Sequence, residues 1–422
     1  LKSFPQPFSA RQPARPLSMG GSGAGADLVG PPPGDGADEY HKAERLWRDV
    51  RDYESLCRGG SAAAEWRREL LEDPRTDPRC ALLEDSPVEA YAVRGTAAGD
   101  GVFLCPRALS AAEQRALLRS LLAEWARPPN RSNLWPPPPA AEPARPAAEA
   151  AAEAEAALRQ GLVDTLGSTS AAAGTGEGVV ERLRWVTLGR QYDWAARAYL
   201  EGDGAPLLPE ALRGLAEAAA AAVPLPPGAA AQPFEAAICN LYHAARRPSD
   251  RLGGHKDDVE QDASSPLVSV SLGLPCVFLL GGETREMRPT PILLQGGSVL
   301  VMAGRARHAI HGVPTVLVPP KLQLRGRGPR PCPSGGVGGP YASVYAPWLA
   351  ALDTGEDAVT EAAAMEDVDG SVARGPRRRR LGATSALGRA EASQSELEGE
   401  EAALERFLMR ARVSFSIRSV GG

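Results

Sequence analysis

The chain has 422 residues and a net charge of −5 at pH 7, which is enough length for one large domain or two ordinary ones. This charge excludes a whole-molecule field that attracts nucleic acid, so any such binding needs a local basic patch. The six cysteines have no CxxC spacing, which argues against structural zinc and disulfides and favours a reducing compartment. No apolar run approaches the roughly 20 residues that span a bilayer, and we expect no membrane association.

Composition divides the chain into segments of different character. Stretches rich in Gly and Pro, or in Ala and Glu, separate regions that carry regular apolar patterns. The predicted segments are a disordered leader (1–37), an N-terminal helical extension with the start of the main fold (38–135), a low-complexity linker (136–178), a β domain (179–318 plus 404–420) and an insertion, predicted to be disordered (319–403).

Two helices and a strand are predicted upstream of the linker. Apolar residues at helical spacing over 38–71 predict one amphipathic helix or a pair of helices. Residues 101–106 predict a short strand. Ser110 precedes Glu113 by three positions, the spacing of a capping box, and it begins a helix predicted to end at Trp125.

Short strands separated by Gly, Pro and Asp dominate the chain after residue 234. This pattern favours an all-β sandwich or a jelly roll over a sheet built from βαβ units. Helices are predicted at 209–222 and 400–409. The predicted strands are Arg184–Leu188, Ala236–Tyr242, Leu267–Leu272, Cys276–Leu280, Pro291–Leu294, Val299–Ala303 and Arg412–Arg418.

Two histidines and an aspartate form a candidate metal site. His255 and Asp257 are two positions apart, and alternate residues of an extended strand share one face. His311 follows after four predicted strands, a suitable separation for a strand that folds back. Two His and one carboxylate on one side of an ion leave open positions, as in non-haem iron(II) oxygenases. Taken alone, the motif is explained at least as well by an Asp at a turn and a buried histidine bonded to a carbonyl.

The last predicted strand, residues 412–418, alternates polar and apolar residues without exception. Its polar face carries two arginines, and each could pair with one carboxylate of a small dicarboxylate. The solvated face of an edge strand is an alternative that alternation predicts equally well. Asn240 and Tyr242 also share one strand face and could hydrogen-bond a carboxylate, although the tyrosine could be satisfied locally. The polar residues of the last strand are Arg412, Ser414, Ser416 and Arg418.

Several motifs follow one another in the β domain: Asn240-x-Tyr242, His255-x-Asp257, Ser269–Gly273, Phe278–Gly282, Arg285, Gly304-x-x-Arg307, His311–Pro314 and Arg412–Arg418. This order resembles the AlkB family of dealkylating dioxygenases, in particular its eukaryotic homologue-one branch. The resemblance is strong over 183–318 and 404–420 and weaker over 86–135. The chain departs from the family at Ser414 and Ser416, where the family has Asn and Thr, and at Ser298, where it usually has Asp. It also has Val259 where the bacterial enzyme has a base-contacting Asp.

The resemblance implies an α+β fold, a double-stranded β-helix (jelly roll) with flanking helices and a long low-complexity insertion before the last strand. It implies iron(II) on the catalytic residues His255, Asp257 and His311, with 2-oxoglutarate and O₂ as co-substrates. Arg412 is the expected partner of the distal carboxylate of 2-oxoglutarate. The other expected 2-oxoglutarate contacts are Asn240, Tyr242, Ser414, Ser416 and Arg418, and the expected substrate contacts are Trp185, Tyr192, Trp194 and Arg285.

The implied reaction is oxidative demethylation of N-methylated bases in DNA or tRNA, releasing succinate, CO₂ and formaldehyde. The base must be unpaired or flipped to reach a buried iron, and Tyr192 and Trp194 could stack on it unless they pack in the core. The alternatives are a dioxygenase acting on proteins or small molecules and an inactive nucleic-acid-binding homologue. We expect the protein to be a monomer inside the cell. The sequence does not show whether it acts in the nucleus, the cytoplasm or the mitochondrion. It also does not show whether the substrate is DNA or RNA.

Overall fold

The computed structural model describes residues 38–50, 68–134, 179–200, 206–229, 233–260, 263–318 and 394–421. The predicted leader (1–37), the linker (136–178) and most of the insertion (319–403) lie outside these residues. Among the described helices, none combines the length and the apolar composition that a membrane crossing requires.

Within the described residues, nine strands form one antiparallel sheet, called here the large sheet. These strands are β1 (Cys80–Leu82), β2 (Tyr91–Val93), β3 (Val102–Cys105), β4 (Arg131–Ser132), β5 (Trp185–Gly189), β8 (Ala236–Tyr242), β10 (Leu267–Gly273), β13 (Val299–Met302) and β15 (Arg412–Arg418). Their order across the sheet is β1-β2-β3-β13-β10-β15-β8-β5-β4.

A second antiparallel sheet, the small sheet, has four strands in the described residues. These strands are β9 (Leu252–His255), β11 (Cys276–Leu280), β12 (Thr290–Leu294) and β14 (His311–Val316), and their order is β12-β11-β14-β9. Two short strands, β6 (Tyr192–Asp193) and β7 (Ala198–Tyr199), pair separately as the aromatic hairpin.

The helices are α1 (Glu39–Arg48), α2 (Ala111–Ser120), α3 (Val179–Arg182), α4 (Glu210–Ala221) and α5 (Gln394–Leu408). A π-helical turn (Leu121–Trp125) continues α2, and a 3-10 helix covers Gly304–His308. The predicted capping box is confirmed, since the Ser110 N–H donates to Glu113 Oε2 (2.7 Å) and the Glu113 N–H donates to Ser110 Oγ.

Three apolar clusters define four layers. The largest cluster joins α2, α4 and α5 to one face of the large sheet, and the second fills the space between the two sheets. The third packs α1 against the outer face of the small sheet. Two antiparallel sheets that face each other, with helices on their outer sides, match the predicted jelly roll.

Strand β15 occupies the centre of the large sheet, between β10 and β8. Its apolar residues Val413, Phe415 and Ile417 belong to the cluster that packs against the helices. Its polar residues therefore point into the space between the sheets, and both arginines are buried. The alternative of a solvated face is wrong, because this strand has a neighbour on each side and a second sheet above its polar face.

Some elements differ from their predictions. Strands β1 and β2 lie in the segment 38–135, which was predicted as a helical extension with the start of the main fold; these two strands were not predicted, and they extend the large sheet. The local patterns gave no bounds for β9 and β14, although the metal-site argument assumed strands at His255 and His311, because β9 contains two glycines and β14 contains Pro314, residues that disfavour strands. Pro314 is tolerated where the β14 pairing shifts register. Helix α5 begins at Gln394, earlier than the predicted 400–409.

Candidate metal centre

The three predicted ligands converge at the edge of the small sheet. His255 ends β9, His311 begins β14, and the two residues pair across these strands. His255 Nε2 lies 3.7 Å from Asp257 Oδ1, and His311 Nε2 lies 3.7 Å from Asp257 Oδ2. One ligand atom from each residue lies within 4.8 Å of the others. The strand-face argument for Asp257 was wrong in detail, because β9 ends at His255 and Asp257 belongs to the following loop.

Backbone carbonyls orient both imidazoles. His255 Nδ1 lies 3.0 Å from the Gly253 carbonyl oxygen, and His311 Nδ1 lies 3.1 Å from that of Ala309. If each Nδ1 carries the proton, it donates to the carbonyl and leaves the Nε2 lone pair free for a metal. Burial, followed by the neighbouring His255, lowers the pKa of His311 to about 4. His311 is therefore neutral at pH 7, the state that binds metal.

Asp257 supplies a carboxylate oxygen that fits a metal ion. Burial alone would raise its pKa, but the positive Arg418 and the two histidines hold the pKa of this carboxyl well below its usual range. Its Oδ2 is buried and has no hydrogen-bond partner among the described residues. An ionised buried oxygen without a donor is costly unless a cation binds it, so the residues present fit a divalent metal.

Two arginines and a glutamate support Asp257 from behind. Arg418 Nη1 lies 2.9 Å from Asp257 Oδ1 and 3.1 Å from Glu260 Oε1. Arg307 donates to the Asp257 carbonyl oxygen (2.6 Å) and to Glu260 Oε2 (2.9 Å). The Tyr199 hydroxyl also donates to Glu260 (3.0 Å). The result is a buried charge network in which two carboxylates balance two guanidinium groups.

This network was largely missed by sequence reasoning. Arg418 was expected to contact 2-oxoglutarate; the structure pairs it with Asp257 and Glu260, and the expected contact with 2-oxoglutarate stays a prediction. Arg307 was noted only as part of a motif, and Glu260 and Tyr199 were not singled out. Glu260 stands in an acidic run near Asp257, but no local pattern distinguishes a fully buried carboxylate from a solvated one.

The predicted co-substrate residues share one buried face of the large sheet. Cross-strand pairing aligns Arg412 with Tyr242 and Ser414 with Asn240. Arg412 Nη2 donates to Ser271 Oγ (2.8 Å) and its Nη1 donates to the Leu274 carbonyl oxygen (3.2 Å). These bonds fix the orientation of the guanidinium group.

Unpartnered atoms on this face mark a place for a polar ligand. Arg412 Nε and the Tyr242 hydroxyl are buried without a hydrogen-bond partner among the described residues. Burial raises the pKa of Tyr242 well above its ordinary value, although the positive Arg412 opposes this, so its hydroxyl keeps its proton. Asn240 and Ser416 are half-buried on the same face.

Four aromatic rings form a cluster that begins at the aromatic hairpin. The ring centres of Trp185 and Trp194 are 5.6 Å apart, those of Tyr192 and Trp194 are 4.7 Å apart, and those of Tyr192 and Tyr199 are 5.3 Å apart, all edge to face. Tyr192 is buried, whereas Trp194 is 42% exposed. The exposed Trp194 indole is accessible for stacking, and the expected substrate contacts of Trp185, Tyr192 and Trp194 stay predictions.

Arg285 lies against helix α1. Its Nη2 donates to the Gly254 carbonyl oxygen (2.8 Å), and its guanidinium group lies 5.7 Å from the centre of the Tyr40 ring. Arg285 thus contacts the strand that carries His255, and its expected contact with substrate stays a prediction.

Comparison with known proteins identifies similar chains. The family model described as the 2OG-Fe(II) oxygenase superfamily matches residues 101–330, more than half of the 422 residues. The chain is 33% identical over 252 residues to the DNA N(6)-methyladenine demethylase ALKBH1A of Arabidopsis thaliana, covering 56% of this chain and 68% of that protein.

Two further relatives match over shorter regions. The chain is 36% identical over 158 residues to the tRNA demethylase abh1 of Schizosaccharomyces pombe, covering 37% of this chain and 50% of that protein. It is 38% identical over 143 residues to the nucleic acid dioxygenase ALKBH1 of Homo sapiens, covering 34% of each chain. The chain thus spans about half of the yeast relative and about a third of the human one.

Proposed function

Because the chain belongs to the 2OG-Fe(II) oxygenase superfamily, we propose that it is an iron(II)- and 2-oxoglutarate-dependent dioxygenase that demethylates N-methylated bases in DNA or tRNA. The observation that carries this proposal is the pairing of two sites. Arg418, at one end of β15, pairs with Asp257 of the metal-ligand cluster that also contains His255 and His311. The buried Arg412 lies at the other end of the same strand.

Each part of the site has a role in this reaction. Two imidazoles and one carboxylate hold iron(II) on one side and leave positions for 2-oxoglutarate and O₂. When bound, iron(II) would use 2-oxoglutarate and O₂ to oxidise the N-methyl group, which would yield succinate, CO₂ and formaldehyde. Arg412, held by Ser271, pairs with the distal carboxylate, and the Tyr242 hydroxyl donates to the same ligand. Arg412 and Tyr242 are buried between the two sheets, which shields this end of the site from solvent.

Nucleic acid is the substrate class that the relatives' names support. The three relatives are named for DNA, tRNA and nucleic acid in general, and the choice between DNA and tRNA stays open for this chain. We propose that an unpaired or flipped base stacks on Trp194 and Trp185 at the aromatic hairpin. The monomeric state and the intracellular location stay predictions.

Succinate release tests the proposal. The full chain would be incubated with iron(II), 2-oxoglutarate and N-methylated DNA or tRNA oligonucleotides, with a methylated peptide in parallel. We expect oligonucleotide-dependent succinate and formaldehyde, and none from the Asp257→Ala variant. Turnover with the peptide alone would replace the substrate assignment. Oligonucleotide binding without turnover in any arm would identify an inactive homologue.

A further inference from the structure

Helix α1 packs on the outer face of the small sheet, next to the strands that carry the histidine ligands. Tyr40 and Trp47 are buried in one cluster with Leu279 and Ile310. The Tyr40 hydroxyl donates to the Leu279 carbonyl oxygen (3.2 Å), and the Tyr40 N–H donates to the Arg285 carbonyl oxygen (2.9 Å). The helix is therefore fixed to the sheet by apolar packing and by hydrogen bonds at its first turn.

Strand β9 is an edge strand of the small sheet, so its outer main-chain groups have no partner strand within the part of the chain that the structure describes. At Gly254, side chains form the hydrogen bonds that a neighbouring strand would otherwise form. The Gly254 N–H donates to Glu44 Oε1 of α1 (2.7 Å), and the Gly254 carbonyl oxygen accepts from Arg285 Nη2 (2.8 Å). Both main-chain groups of the residue before the ligand His255 are thus held by side chains from distant parts of the chain.

The Tyr40 ring explains why glycine stands at this position. A Cβ atom on Gly254 would lie 2.2 Å from Tyr40 Cε1, and one on Gly281 would lie 2.8 Å from Tyr40 Cδ2. The close approach brings α1 near enough for Glu44 to reach the backbone. Gly253 and Gly254 are consecutive, and glycine has more backbone freedom than other residues. This freedom must be restricted if His255, the next residue, is to keep one orientation.

We propose that α1 is a positioning element for the metal centre, in which Glu44 and Arg285 fix the Gly254 peptide and through it the His255 imidazole. The Gly253 carbonyl oxygen, which accepts from His255 Nδ1, belongs to the same peptide segment. Asp257 is held independently by Arg307 and Arg418 on the other side. Loss of the α1 contacts therefore weakens ligation by His255 while the support of Asp257 persists. This inference rests on the proposed iron site.

Cobalt(II) binding tests the inference without turnover. The full chain would be titrated with cobalt(II), and its affinity and ligand-field absorption spectrum recorded for Glu44→Ala, Glu44→Gln and Arg285→Met. Outer partners of metal ligands typically change metal affinity by about 10- to 100-fold. We expect Glu44→Ala and Arg285→Met to lose affinity on this scale with a changed spectrum. Glu44→Gln, whose amide oxygen can still accept from Gly254, should stay near the wild type.

Glu39→Ala is the matched control, because Glu39 lies on the same helix and pairs with exposed Lys42 rather than with β9. It should bind cobalt(II) like the wild type. Wild-type affinity and spectrum in Arg285→Met and in a folded Glu44→Ala would overturn the inference, as would an equal loss in Glu39→Ala. If Glu44→Ala does not fold, Arg285→Met decides, since its side chain is 41% exposed. If the wild type itself binds no cobalt(II), the result contradicts the proposed iron site as well as this inference.

Discussion

At the scale of single residues, three buried polar atoms in the proposed ligand site have no hydrogen-bond partner in the described part of the chain. Asp257 Oδ2, the Tyr242 hydroxyl and Arg412 Nε have no hydrogen-bond partner among the described residues. Leaving such a group buried and unpaired costs about 1–3 kcal/mol, and more when it is charged. Other buried polar groups here, such as Glu260, have partners. These three atoms lie where a metal ion and a carboxylate ligand would complete them, whereas other unpaired buried atoms of the described residues, such as Trp47 Nε1, lie outside this site.

Replacing Arg412 by Lys should raise the KM for 2-oxoglutarate. The lysine keeps the charge but loses the paired donors that Ser271 holds in place. A hydrogen bond to a charged group contributes about 1.5–3 kcal/mol, which corresponds to about 10- to 150-fold in KM. Steady-state succinate release at varied 2-oxoglutarate measures it, with Arg305→Lys as the control because Arg305 is 72% exposed. An unchanged KM would remove Arg412 from the co-substrate site.

Replacing Glu260 by Gln should destabilise the metal-free protein. The change leaves Arg418 paired with Asp257 but leaves the buried Arg307 without a carboxylate partner among the described residues, and breaking a buried ion pair costs about 3–5 kcal/mol. Urea unfolding measures the loss. Glu283→Gln, in an exposed pair with Arg305, should change stability by less than about 1 kcal/mol. A loss of that small size for Glu260→Gln would mean that the network carries no net stability.

At the scale of elements, helix α5 connects the predicted insertion to the central strand β15. Its residues Leu404, Phe407 and Leu408 are buried against the large sheet. Arg119 of α2 pairs with Glu400 and Glu401, and Arg115 pairs with Glu401. These partly exposed ion pairs fix α5 against α2, so the strand that follows enters the sheet in one position.

The contribution of these ion pairs should depend on pH. Burial would raise the pKa of Glu401, but hydrogen bonds from Arg119 and Arg115 outweigh it and lower the pKa below the ordinary 4.5. A folded-state pKa below the unfolded one gives stability that is present above pH 4.5 and lost as the pH falls through the folded value.

Arg119→Gln should therefore lower the free energy of unfolding by up to about 1 kcal/mol at pH 7. The difference from the wild type should shrink below pH 4.5, where the carboxyl gains its proton in both proteins. Urea unfolding across this pH range measures it. A difference that grows on acidification would contradict the assigned ion pairs.

At the scale of the whole molecule, the metal centre joins parts of the chain that are far apart in sequence. His255 and His311 belong to the small sheet, Arg418 belongs to the large sheet, and Glu44 reaches β9 from α1. A metal ion bound here would join β9, β14 and the loop that carries Asp257, and it would do so only in the folded state. Binding must therefore shift the unfolding equilibrium toward the folded protein.

Cobalt(II) should raise the melting temperature of the wild type and leave that of Asp257→Ala unchanged. A metal present at 100 times its Kd adds about 2.7 kcal/mol to the free energy of unfolding. Differential scanning calorimetry with cobalt(II), and with a chelator as the reverse arm, measures the effect. Equal stabilisation of both proteins would place the bound metal elsewhere.

Much of this fold could be predicted locally. The bounds of β8, β11 and β15 match their predicted ranges, because period-two alternation and β-rich composition report a buried strand directly. Strands β9 and β14 were missed because Gly253, Gly254 and Pro314 contradict local preference. Their strand conformation is imposed by pairing with β11 and with each other, and by Tyr40 and Glu44 on the outside.

The sequence by itself determined the three metal-ligand candidates, the alternating face of β15 and the start of α2, since each depends on residue type and short-range spacing. Only the tertiary structure decided that this face lies between two sheets, that Arg418 supports Asp257, and that Glu44 and Arg285 hold the strand of His255. The physical reason is that a periodic pattern reports which side of an element is apolar, but not what covers its polar side. Glu44 and Gly254 are 210 positions apart, and no local rule relates them until the chain has folded.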